Sequence, residues 1–373
     1  MFGLYIHIPF CVKKCNYCDF NSFKIDKKLK DQYLKDLEKE MKLYKSDEEI
    51  TSIFLGGGTP SILTSDEIKY IFKNIYDNFK IKDDAEITIE CNPGTLTKEK
   101  LQAMKSVGIN RLSIGLQAIQ ENHLNYIGRI HTYEEFEKNY KEAIKIGFND
   151  INIDLMYSLP NQTFEEWKET LEKITNLNPT HISAYSLILE EGTELYNMYE
   201  RKEFELVDED NDIDMYEYTI NYLASKGYNQ YEISNYSKPG FECKHNILYW
   251  KCGYYIGLGP GASGYIEDER YSNLCDLKEY HSALEKNKKP IESKEYLSLK
   301  DKIEEKIFMG LRMNEGIKFE EFENLYGIDF LEFYKNQIKE LHKNKLIDFN
   351  DKFLYLTQKG REISNSVFIE FMN

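Results

Sequence analysis

Three cysteines stand close together near the start of the chain, in the segment Cys11-Val-Lys-Lys-Cys15-Asn-Tyr-Cys18. Thiols at these spacings fit one short loop around a single metal centre. A structural zinc site needs four closed ligands, and this segment offers three unless His7 on the preceding strand completes the set. An iron–sulfur cluster held by three thiolates leaves one iron open for another ligand. The spacing therefore predicts a [4Fe–4S] cluster with an open iron, bound by the three cysteines.

A run of three glycines, Leu55-Gly56-Gly57-Gly58-Thr59-Pro60, follows an apolar segment that indicates a strand. Glycines let backbone N–H and C=O groups approach a bound molecule without interference from a Cβ atom. A glycine run before Thr-Pro is also compatible with a plain turn. Its place at a strand end, shortly after the cysteine segment, favours a loop that contacts a ligand.

Polar side chains also end other apolar segments, interrupt one at Asp154, and stand beyond another at Arg129, where a core would favour apolar residues. A buried carboxylate is costly without a partner, so each acidic residue taken alone indicates a structural ion pair. Ligands of parallel sheets, however, bind at the carboxyl ends of the strands. The residues in question are Glu90, Gln117, Arg129 and Asp154.

The elements that must position these residues alternate between apolar strands and amphipathic helices up to about residue 190. This alternation predicts six β–α units and a parallel sheet covered by helices. Periodicity alone leaves open a doubly wound sheet or a partly closed barrel. We expect the helix after the glycine run to begin near Ser65, with Ser65 as its N-cap residue. The first predicted helix, residues 28–44, carries an apolar stripe formed by Leu29, Tyr33, Leu34, Leu37 and Met41.

The alternation of strand-like and helix-like segments changes its character twice along the chain, which predicts three regions. Residues 1–195 form the core with the cysteine site. Residues 196–295 extend that core and contain the segment HNILYW. Residues 296–373 form helices followed by a hairpin that turns at Asn350-Asp351, an order similar to a winged helix. This last region has no dense basic stripe, so we do not expect it to bind DNA.

The segment YIHIPFCVKKCNYCDF (residues 5–20) resembles the start of radical S-adenosylmethionine proteins. The similar branch contains the anaerobic coproporphyrinogen III oxidases and the HemW-type heme chaperones. The resemblance covers essentially the whole chain. It implies an α/β fold, a partial (β/α)6 TIM-like barrel with a C-terminal α+β winged-helix-like domain. It also implies that the open iron takes the amino and carboxylate groups of S-adenosylmethionine, whose sulfonium a reduced cluster can cleave to a deoxyadenosyl radical.

The same resemblance implies a set of residues that contact S-adenosylmethionine. The glycine loop contacts the methionine amino group, and the polar residues beyond it bind the ribose and the methionine carboxylate. Two tyrosines match positions beside the cluster. The implied contacts are Tyr5, Tyr17, Gly57, Gly58, Thr59, Glu90, Gln117, Arg129 and Asp154.

The residues after the third cysteine separate the two members of this branch. The similar oxidases extend the triad to CxxxCxxCxC, whereas here Asp19 and Phe20 follow Cys18, and phenylalanine has no thiol. The ending CDF is typical of the chaperones, although Phe20 also suits an aromatic wall beside the cluster. We therefore expect coproporphyrinogen oxidase activity to be absent, and whether the protein is an enzyme in any other sense stays open.

The segment His245-Asn246-Ile247-Leu248-Tyr249-Trp250 matches the HNxxYW pattern of the chaperone branch. A neutral imidazole is a good axial ligand of heme iron, and Tyr and Trp stack on a porphyrin face. The same residues are also typical of a packed, hydrogen-bonded corner before an aromatic strand. His245 is the candidate heme ligand, with Cys243 and Cys252 as alternatives.

Composition limits the classes of partner and the compartment. The net charge of -16, from 64 acidic and 48 basic residues, disfavours nucleic acid and anionic lipid. No apolar run approaches the roughly 20 residues of a membrane helix, and the N-terminus lacks a signal-peptide pattern. We expect a cytoplasmic protein with reduced thiols. The remaining cysteines are predicted to be small buried hydrophobes: Cys91, Cys243, Cys252 and Cys275.

These observations and the resemblance together predict a heme chaperone that binds heme as cargo and delivers it to respiratory hemoproteins. The [4Fe–4S] cluster and S-adenosylmethionine would support dimerisation or control release. The alternative is an oxygen-independent coproporphyrinogen III oxidase, which decarboxylates propionate side chains by radical chemistry. Expected partners are heme, acceptor hemoproteins and a reductant for the cluster, without nucleic acid. A homodimer and, at most, transient membrane contact stay open.

Overall fold

A computed structural model describes residues 2–372, and its largest part is a mixed α/β unit built on one twelve-stranded sheet. The strands are β1 (Phe2–Ile8), β2 (Phe10–Cys11), β3 (Phe23–Lys24), β4 (Ser46–Gly57), β5 (Phe79–Cys91), β6 (Arg111–Gln117), β7 (Asp150–Tyr157), β8 (His181–Ser186), β9 (Asn229–Glu232), β10 (Asn235–Ser237), β11 (Tyr254–Leu258), β12 (Ser263–Ile266), β13 (Glu269–Asn273), β14 (Ile291–Tyr296), β15 (Ile317–Lys318), β16 (Ile347–Phe349) and β17 (Phe353–Leu356).

Helices cover the sheet and form most of the C-terminal region. They are α1 (Lys27–Leu43), α2 (Ser65–Asn78), α3 (Lys98–Ser106), α4 (Glu121–Tyr126), α5 (Tyr133–Ile146), α6 (Phe164–Leu177), α7 (Glu194–Glu200), α8 (Glu209–Ser225), α9 (Lys244–Trp250), α10 (Leu277–Glu285), α11 (Leu299–Arg312), α12 (Phe319–Tyr326), α13 (Phe330–Phe333), α14 (Lys335–Lys343), α15 (Gln358–Glu362) and α16 (Ser364–Glu370). Short 3-10 turns at Pro60–Ile62 and Pro93–Thr95 follow β4 and β5.

Six strands, β1, β4, β5, β6, β7 and β8, lie side by side in parallel. They form the partial (β/α)6 barrel that the resemblance implies. Strand β11 adds to the free side of β1, also in parallel, and the hairpin strands β12 to β14 continue from it. Because all six strands run the same way, their carboxyl ends meet at one edge of the sheet.

Alternation along the strands places apolar side chains under the helices and polar side chains in the barrel interior. In β1, Leu4, Ile6 and Ile8 are fully buried in the apolar core, whereas Tyr5 and His7 point to the opposite face. The capping box Thr64–Glu67 starts α2, so Thr64 is the N-cap where the sequence suggested Ser65.

Helix α1 shows where local periodicity needs correction. Tyr33, Leu34, Leu37 and Met41 are buried as predicted, but Leu29 is 45 % exposed. The helix begins at Lys27, one residue before the predicted start and directly after the N-cap Asp26, so Leu29 lies in its first turn.

The C-terminal region has its own apolar core, formed by α11 to α16 and a three-stranded sheet in the order β15-β17-β16. Its hairpin joins β16 to β17, and the Asn350 side chain accepts hydrogen bonds from the backbone N–H groups of Lys352 and Phe353 in the turn. None of the helices between residues 2 and 372 is long and apolar enough to span a bilayer.

Candidate functional site

A cavity of about 360 Å³ lies at the carboxyl ends of the parallel strands. It collects the three cysteines and all of the implied S-adenosylmethionine contacts except Tyr5, and it does not include the candidate heme ligands. Those in its lining are Cys11, Cys15, Tyr17, Cys18, Gly57, Gly58, Thr59, Glu90, Gln117, Arg129 and Asp154.

The loop that carries Cys15 and Cys18 is fixed at its centre by Asn16. The backbone N–H of Asn16 donates to Ile127 O at 2.9 Å, and its side-chain amide donates to Tyr126 O at 2.8 Å. The Asn16 carbonyl accepts from Leu195 N at 2.7 Å. These bonds tie the cysteine loop to α4 and to α7, so the thiols are held against the barrel edge.

The three thiols face groups that suit sulfur ligands of a cluster. The Thr59 hydroxyl donates to Cys11 Sγ at 3.5 Å, and an Arg129 N–H donates to Cys15 Sγ at 3.5 Å. Burial raises the pKa of the Cys18 thiol to about 11, so this thiol keeps its proton until a metal displaces it. Across residues 2–372, no three His, Cys, Asp or Glu side chains converge tightly enough to enclose a single metal ion.

The glycine run closes tightly over the cysteine segment. Gly58 N donates to Ile8 O at 2.9 Å. A Cβ atom built on Gly58 would lie 2.7 Å from Phe10 O and 3.0 Å from Cys11 Sγ. Gly57 has φ +113°, a conformation that L side chains rarely adopt, and a Cβ there would lie 2.7 Å from the His7 ring. Gly58 is therefore required because a side chain would have no space, and Gly57 because of both its backbone conformation and the nearby His7 ring.

Two carboxyl groups, Glu90 and Asp154, face the same cavity. Glu90 accepts a hydrogen bond from Gly57 N at 3.2 Å. Burial and the nearby Asp154 carboxylate raise the pKa of Glu90 to about 8. Burial also raises the pKa of Asp154, which accepts from Ser113 Oγ at 3.1 Å and from Asn152 Nδ2 at 2.7 Å. A cationic group bound beside this pair would favour the charged carboxylates and lower both pKa values.

We expect stability to fall with rising pH because of Glu90. The unfolded chain ionises this carboxyl near its ordinary value of 4.5, and the folded, metal-free protein near 8. Between these values the unfolded state releases the proton first, so the free energy of unfolding drops by up to about 1.4 kcal/mol for each pH unit. Urea unfolding of Glu90→Gln at pH 5.5 and pH 8 should show a smaller drop than the wild type.

The exposed Glu200 on α7 offers a matched control for this measurement. Glu200→Gln should reproduce the wild-type difference between the two pH values. Equal pH differences in Glu90→Gln and the wild type would contradict the assignment.

Arg129 and Gln117 lie on the other side of the cavity. Arg129 donates to Gly115 O as well as to Cys15, but its Nε atom is buried without a hydrogen-bond partner. A buried guanidinium N–H without an acceptor is unusual in a folded protein. Gln117 ends β6 with φ +72°, which turns the chain away at the cavity edge. An anionic group bound at this side would satisfy Arg129.

These features fit the cofactors of the similar family. Three thiols in one loop suit the [4Fe–4S] cluster, and the close-packed glycines leave room for a ligand beside it. The unpartnered arginine N–H suits a carboxylate, and the two carboxyl groups suit cationic and ribose groups. S-adenosylmethionine carries all of these complementary groups. When bound, the pair supplies one-electron cleavage chemistry. The residues that line this cavity would bind the cofactor and orient it.

Tyr5 lies beneath the glycine run and outside the cavity lining. Its hydroxyl bonds to His7 Nδ1 at 3.0 Å, and its ring stacks on Phe54 at 6.4 Å between centroids. His7 Nε2 in turn donates to Asn21 O at 2.8 Å in the cysteine loop. Tyr5 therefore supports the loop from below in the structure as described, and direct contact with S-adenosylmethionine stays a prediction.

His245 is fully enclosed on the barrel flank. Its Nδ1 bonds to Ser52 Oγ at 2.9 Å, its Nε2 bonds to Tyr249 Oη at 2.8 Å, and its ring stacks on Phe54 at 5.3 Å. Burial lowers the pKa of His245 to about 3, so the imidazole is neutral. Both ring nitrogens are occupied, and heme ligation by His245 stays a prediction that requires these bonds to break.

The HNILYW segment forms helix α9, whereas the sequence suggested an aromatic strand. The Glu86 carboxylate on β5 accepts hydrogen bonds from the backbone N–H groups of Lys244 at 2.9 Å and His245 at 3.1 Å. This carboxylate acts as the missing N-cap of α9. Because Glu86 is distant in sequence, local patterning could not reveal the cap.

Several cavity residues escaped the sequence reasoning: Lys13, Asn92, Ser113, Met156 and Tyr185. Strand alternation offered a signal for one of them. Met156 stands two residues after Asp154 in β7 and therefore faces the same side. Among the other cysteines, Cys91 and Cys243 are buried as predicted, but Cys252 is partly exposed and Cys275 is exposed, so the prediction was wrong for these two.

Comparison with known proteins places these observations in a family. Residues 5–174 match the model of the radical SAM superfamily, and residues 297–363 match that of the HemN C-terminal domain. The chain is 40% identical to heme chaperone HemW of Lactococcus lactis, across 99% of this chain and 96% of that protein. It is 36% identical to heme chaperone HemW of Bacillus subtilis, across 100% and 99% of the two chains.

A solved structure shows the same fold over the whole length. The radical SAM enzyme coproporphyrinogen III oxidase (HemN) from Escherichia coli superposes with a TM-score of 0.87 at 26% identity, covering 100% of this chain and 90% of that one. The barrel, the added strands and the C-terminal region therefore form one shared architecture.

Proposed function

Because the chain belongs to the heme chaperone HemW family of the radical SAM superfamily, we propose that it binds heme and transfers it to acceptor hemoproteins. The observation that carries this proposal is the full-length similarity to HemW proteins, which extends beyond the barrel into the C-terminal region. Phe20, where the similar oxidases have a further cysteine, supports the same choice.

The proposed roles of the cavity residues follow from their positions. Cys11, Cys15 and Cys18 hold a [4Fe–4S] cluster, and the cluster's open iron binds S-adenosylmethionine. The glycine loop residues Gly57, Gly58 and Thr59 contact its methionine part.

The remaining contacts surround the rest of the cofactor. Arg129 binds the carboxylate, Asp154 binds the ribose, and Glu90 and Gln117 complete the contacts. Tyr17 closes the side next to the cluster.

The proposal includes partners beyond heme. Respiratory hemoproteins are the proposed acceptors, and a cellular reductant supplies the cluster with electrons. We place the exchange in the cytoplasm, with transient contact at a membrane when the acceptor lies there. Binding of S-adenosylmethionine at the barrel mouth would control the release of heme, either directly or by promoting dimerisation.

Side-by-side incubation tests the proposal. Anaerobically reconstituted protein with S-adenosylmethionine and dithionite receives heme in one sample and coproporphyrinogen III in the other. We expect heme to stay with the protein through gel filtration, with a Soret band, and coproporphyrinogen III to be recovered unchanged. Formation of protoporphyrinogen, or loss of all heme on the column, would contradict the chaperone function.

A further inference from the structure

Asn92 lines the cavity of the cysteine triad and directly follows strand β5. Its backbone is fixed, because its N–H donates to Ser61 Oγ at 2.9 Å and its carbonyl accepts from Thr95 N at 3.0 Å. Asparagine often caps a helical turn with its side chain, but Asn92 makes no such bond at the 3-10 turn Pro93–Thr95. The side chain is therefore available for another partner.

The Asn92 side chain instead contacts the ring of His131. His131 Nδ1 lies 3.2 Å from Asn92 Oδ1, and His131 Nε2 lies 3.3 Å from the carbonyl oxygen of Leu116. Because a carbonyl oxygen only accepts hydrogen bonds, Nε2 must carry the hydrogen and donate to Leu116. A neutral imidazole has a single N–H, so its Nδ1 is then an acceptor. In this state Nδ1 and Oδ1 face each other as two acceptors.

Only a doubly protonated ring donates from both nitrogens, and the surroundings of His131 oppose this state. The residue is 4 % exposed, and no carboxylate among the described residues forms an ion pair with it. Burial and the nearby Arg129 guanidinium lower the pKa of His131 to about 3. The ring is therefore neutral near pH 7, and the Asn92 amide must supply the hydrogen between them.

An asparagine amide supplies this hydrogen when it turns by about 180° around its last bond, which exchanges the positions of Oδ1 and Nδ2. In the orientation described above, Asn92 Nδ2 bonds to none of residues 2–372, so the rotation breaks no other hydrogen bond. After it, Nδ2 donates to His131 Nδ1 and Oδ1 points away from the ring. Asn92 then offers the cavity an acceptor in place of a donor.

We propose, resting on the proposed S-adenosylmethionine site, that Asn92 Oδ1 accepts a hydrogen bond from the methionine amino group of this cofactor. His131 is the positioning residue that holds the amide in this orientation. With the opposite orientation, an N–H of the amide would face the N–H groups of the ligand and repel them. The ring of His131 therefore decides which kind of ligand group Asn92 recognises.

The neighbours of Asn92 favour the methionine amino group over the ribose. Asn92 bonds on one side to Ser61, which follows the glycine loop, and on the other side to His131, which follows Arg129 by two residues. The Nε atom of Arg129 has no partner and suits a carboxylate. Because the amino and carboxylate groups of methionine share one carbon, their partners must be neighbours. Asp154, the proposed ribose contact, lies two strands further along the sheet.

Binding measurements on the anaerobically reconstituted protein test this inference. Equilibrium dialysis compares S-adenosylmethionine with its desamino analogue in the wild type and in Asn92→Leu. We expect Asn92→Leu to bind S-adenosylmethionine about tenfold more weakly and the desamino analogue as the wild type does. Iron and sulfide contents should not change. Asn344→Leu, at an exposed asparagine outside the cavity, should match the wild type with both ligands.

The outcomes separate this inference from the site on which it rests. Wild-type affinity for S-adenosylmethionine in Asn92→Leu would overturn the role of Asn92 and leave the cofactor site intact. An equal loss with the desamino analogue would show that Oδ1 serves another part of the ligand, such as the ribose, and would overturn the amino assignment. Failure of the wild type to bind S-adenosylmethionine would overturn the proposed site itself.

The role of His131 has its own readouts. His131→Leu should weaken S-adenosylmethionine binding in the wild type and add nothing in the Asn92→Leu background, because the two residues act through one amide. Additive losses would overturn the positioning role. In the 15N-histidine-labelled wild type near pH 7, NMR should show a hydrogen on Nε2 and none on Nδ1 of His131. A hydrogen on Nδ1 would overturn the proposed orientation without any variant.

Discussion

The triple variant Cys11→Ala, Cys15→Ala, Cys18→Ala is expected to stay colourless after anaerobic reconstitution, whereas the wild type becomes brown. In the proposed cluster each thiolate would bind a different iron, and these three thiols line one cavity. The loop is held independently by Asn16, so its backbone should survive the substitutions. Iron and sulfide analysis should give about four of each per wild-type chain and close to none in the variant.

The control for this experiment is Cys275→Ala, which removes an exposed thiol remote from the cavity. It should keep the wild-type colour and iron content. S-adenosylmethionine binding, measured by equilibrium dialysis, should fall with the cluster in the triple variant alone. Zinc in the oxygen-free wild type, or undiminished iron and sulfide in the triple variant, would contradict the predicted site.

The second large effect is expected from Gly58→Ala. The new Cβ atom would meet Phe10 O at 2.7 Å, Phe10 N at 2.9 Å and Cys11 Sγ at 3.0 Å. Two of these atoms belong to the backbone that leads into the first cysteine, so relief requires the loop to shift. A displacement of this size moves the methionine contacts, and we expect S-adenosylmethionine affinity to fall by about tenfold or more.

Gly94 offers a matched control because it follows the neighbouring strand β5 at the same edge. The nearest atoms to a Cβ on Gly94 lie 3.7 Å away, an ordinary contact distance. Gly94→Ala should bind S-adenosylmethionine as the wild type does. If both glycine variants bind alike, close packing of the glycine loop is not a requirement for the cofactor.

The sequence predicted the part of the site that depends on strand ends. Glu90 and Asp154 stand at fixed positions in apolar strands, and parallel strands bring their carboxyl ends together whatever the details of the helices. Strand periodicity could not decide whether Tyr5 reaches the cavity, because residues on one face lie at different depths. How far a side chain lies below the carboxyl end of the sheet depends on the register between strands. For Tyr5 this register is its pairing with Phe54 and Gly257.

Longer-range partners explain the remaining differences. Helix α9 depends on Glu86, which lies far earlier in the chain, and the same packing encloses His245 between Ser52 and Tyr249. Cys252 lines a cavity together with Glu305 and Met309 of α11, which packs against α9. None of these contacts follows from local composition, so the motif was recognised while its geometry was not.

The stacked series from Tyr249 through His245, Phe54 and Tyr5 to His7 joins the barrel flank to the loop at its mouth. If a ligand at one end of this series changes the free energy of binding at the other end, linkage makes the effect mutual. If S-adenosylmethionine multiplies the dissociation constant of heme by some factor, heme must multiply that of S-adenosylmethionine by the same factor. Binding of S-adenosylmethionine would then drive the release of heme, without a further energy source such as nucleotide hydrolysis.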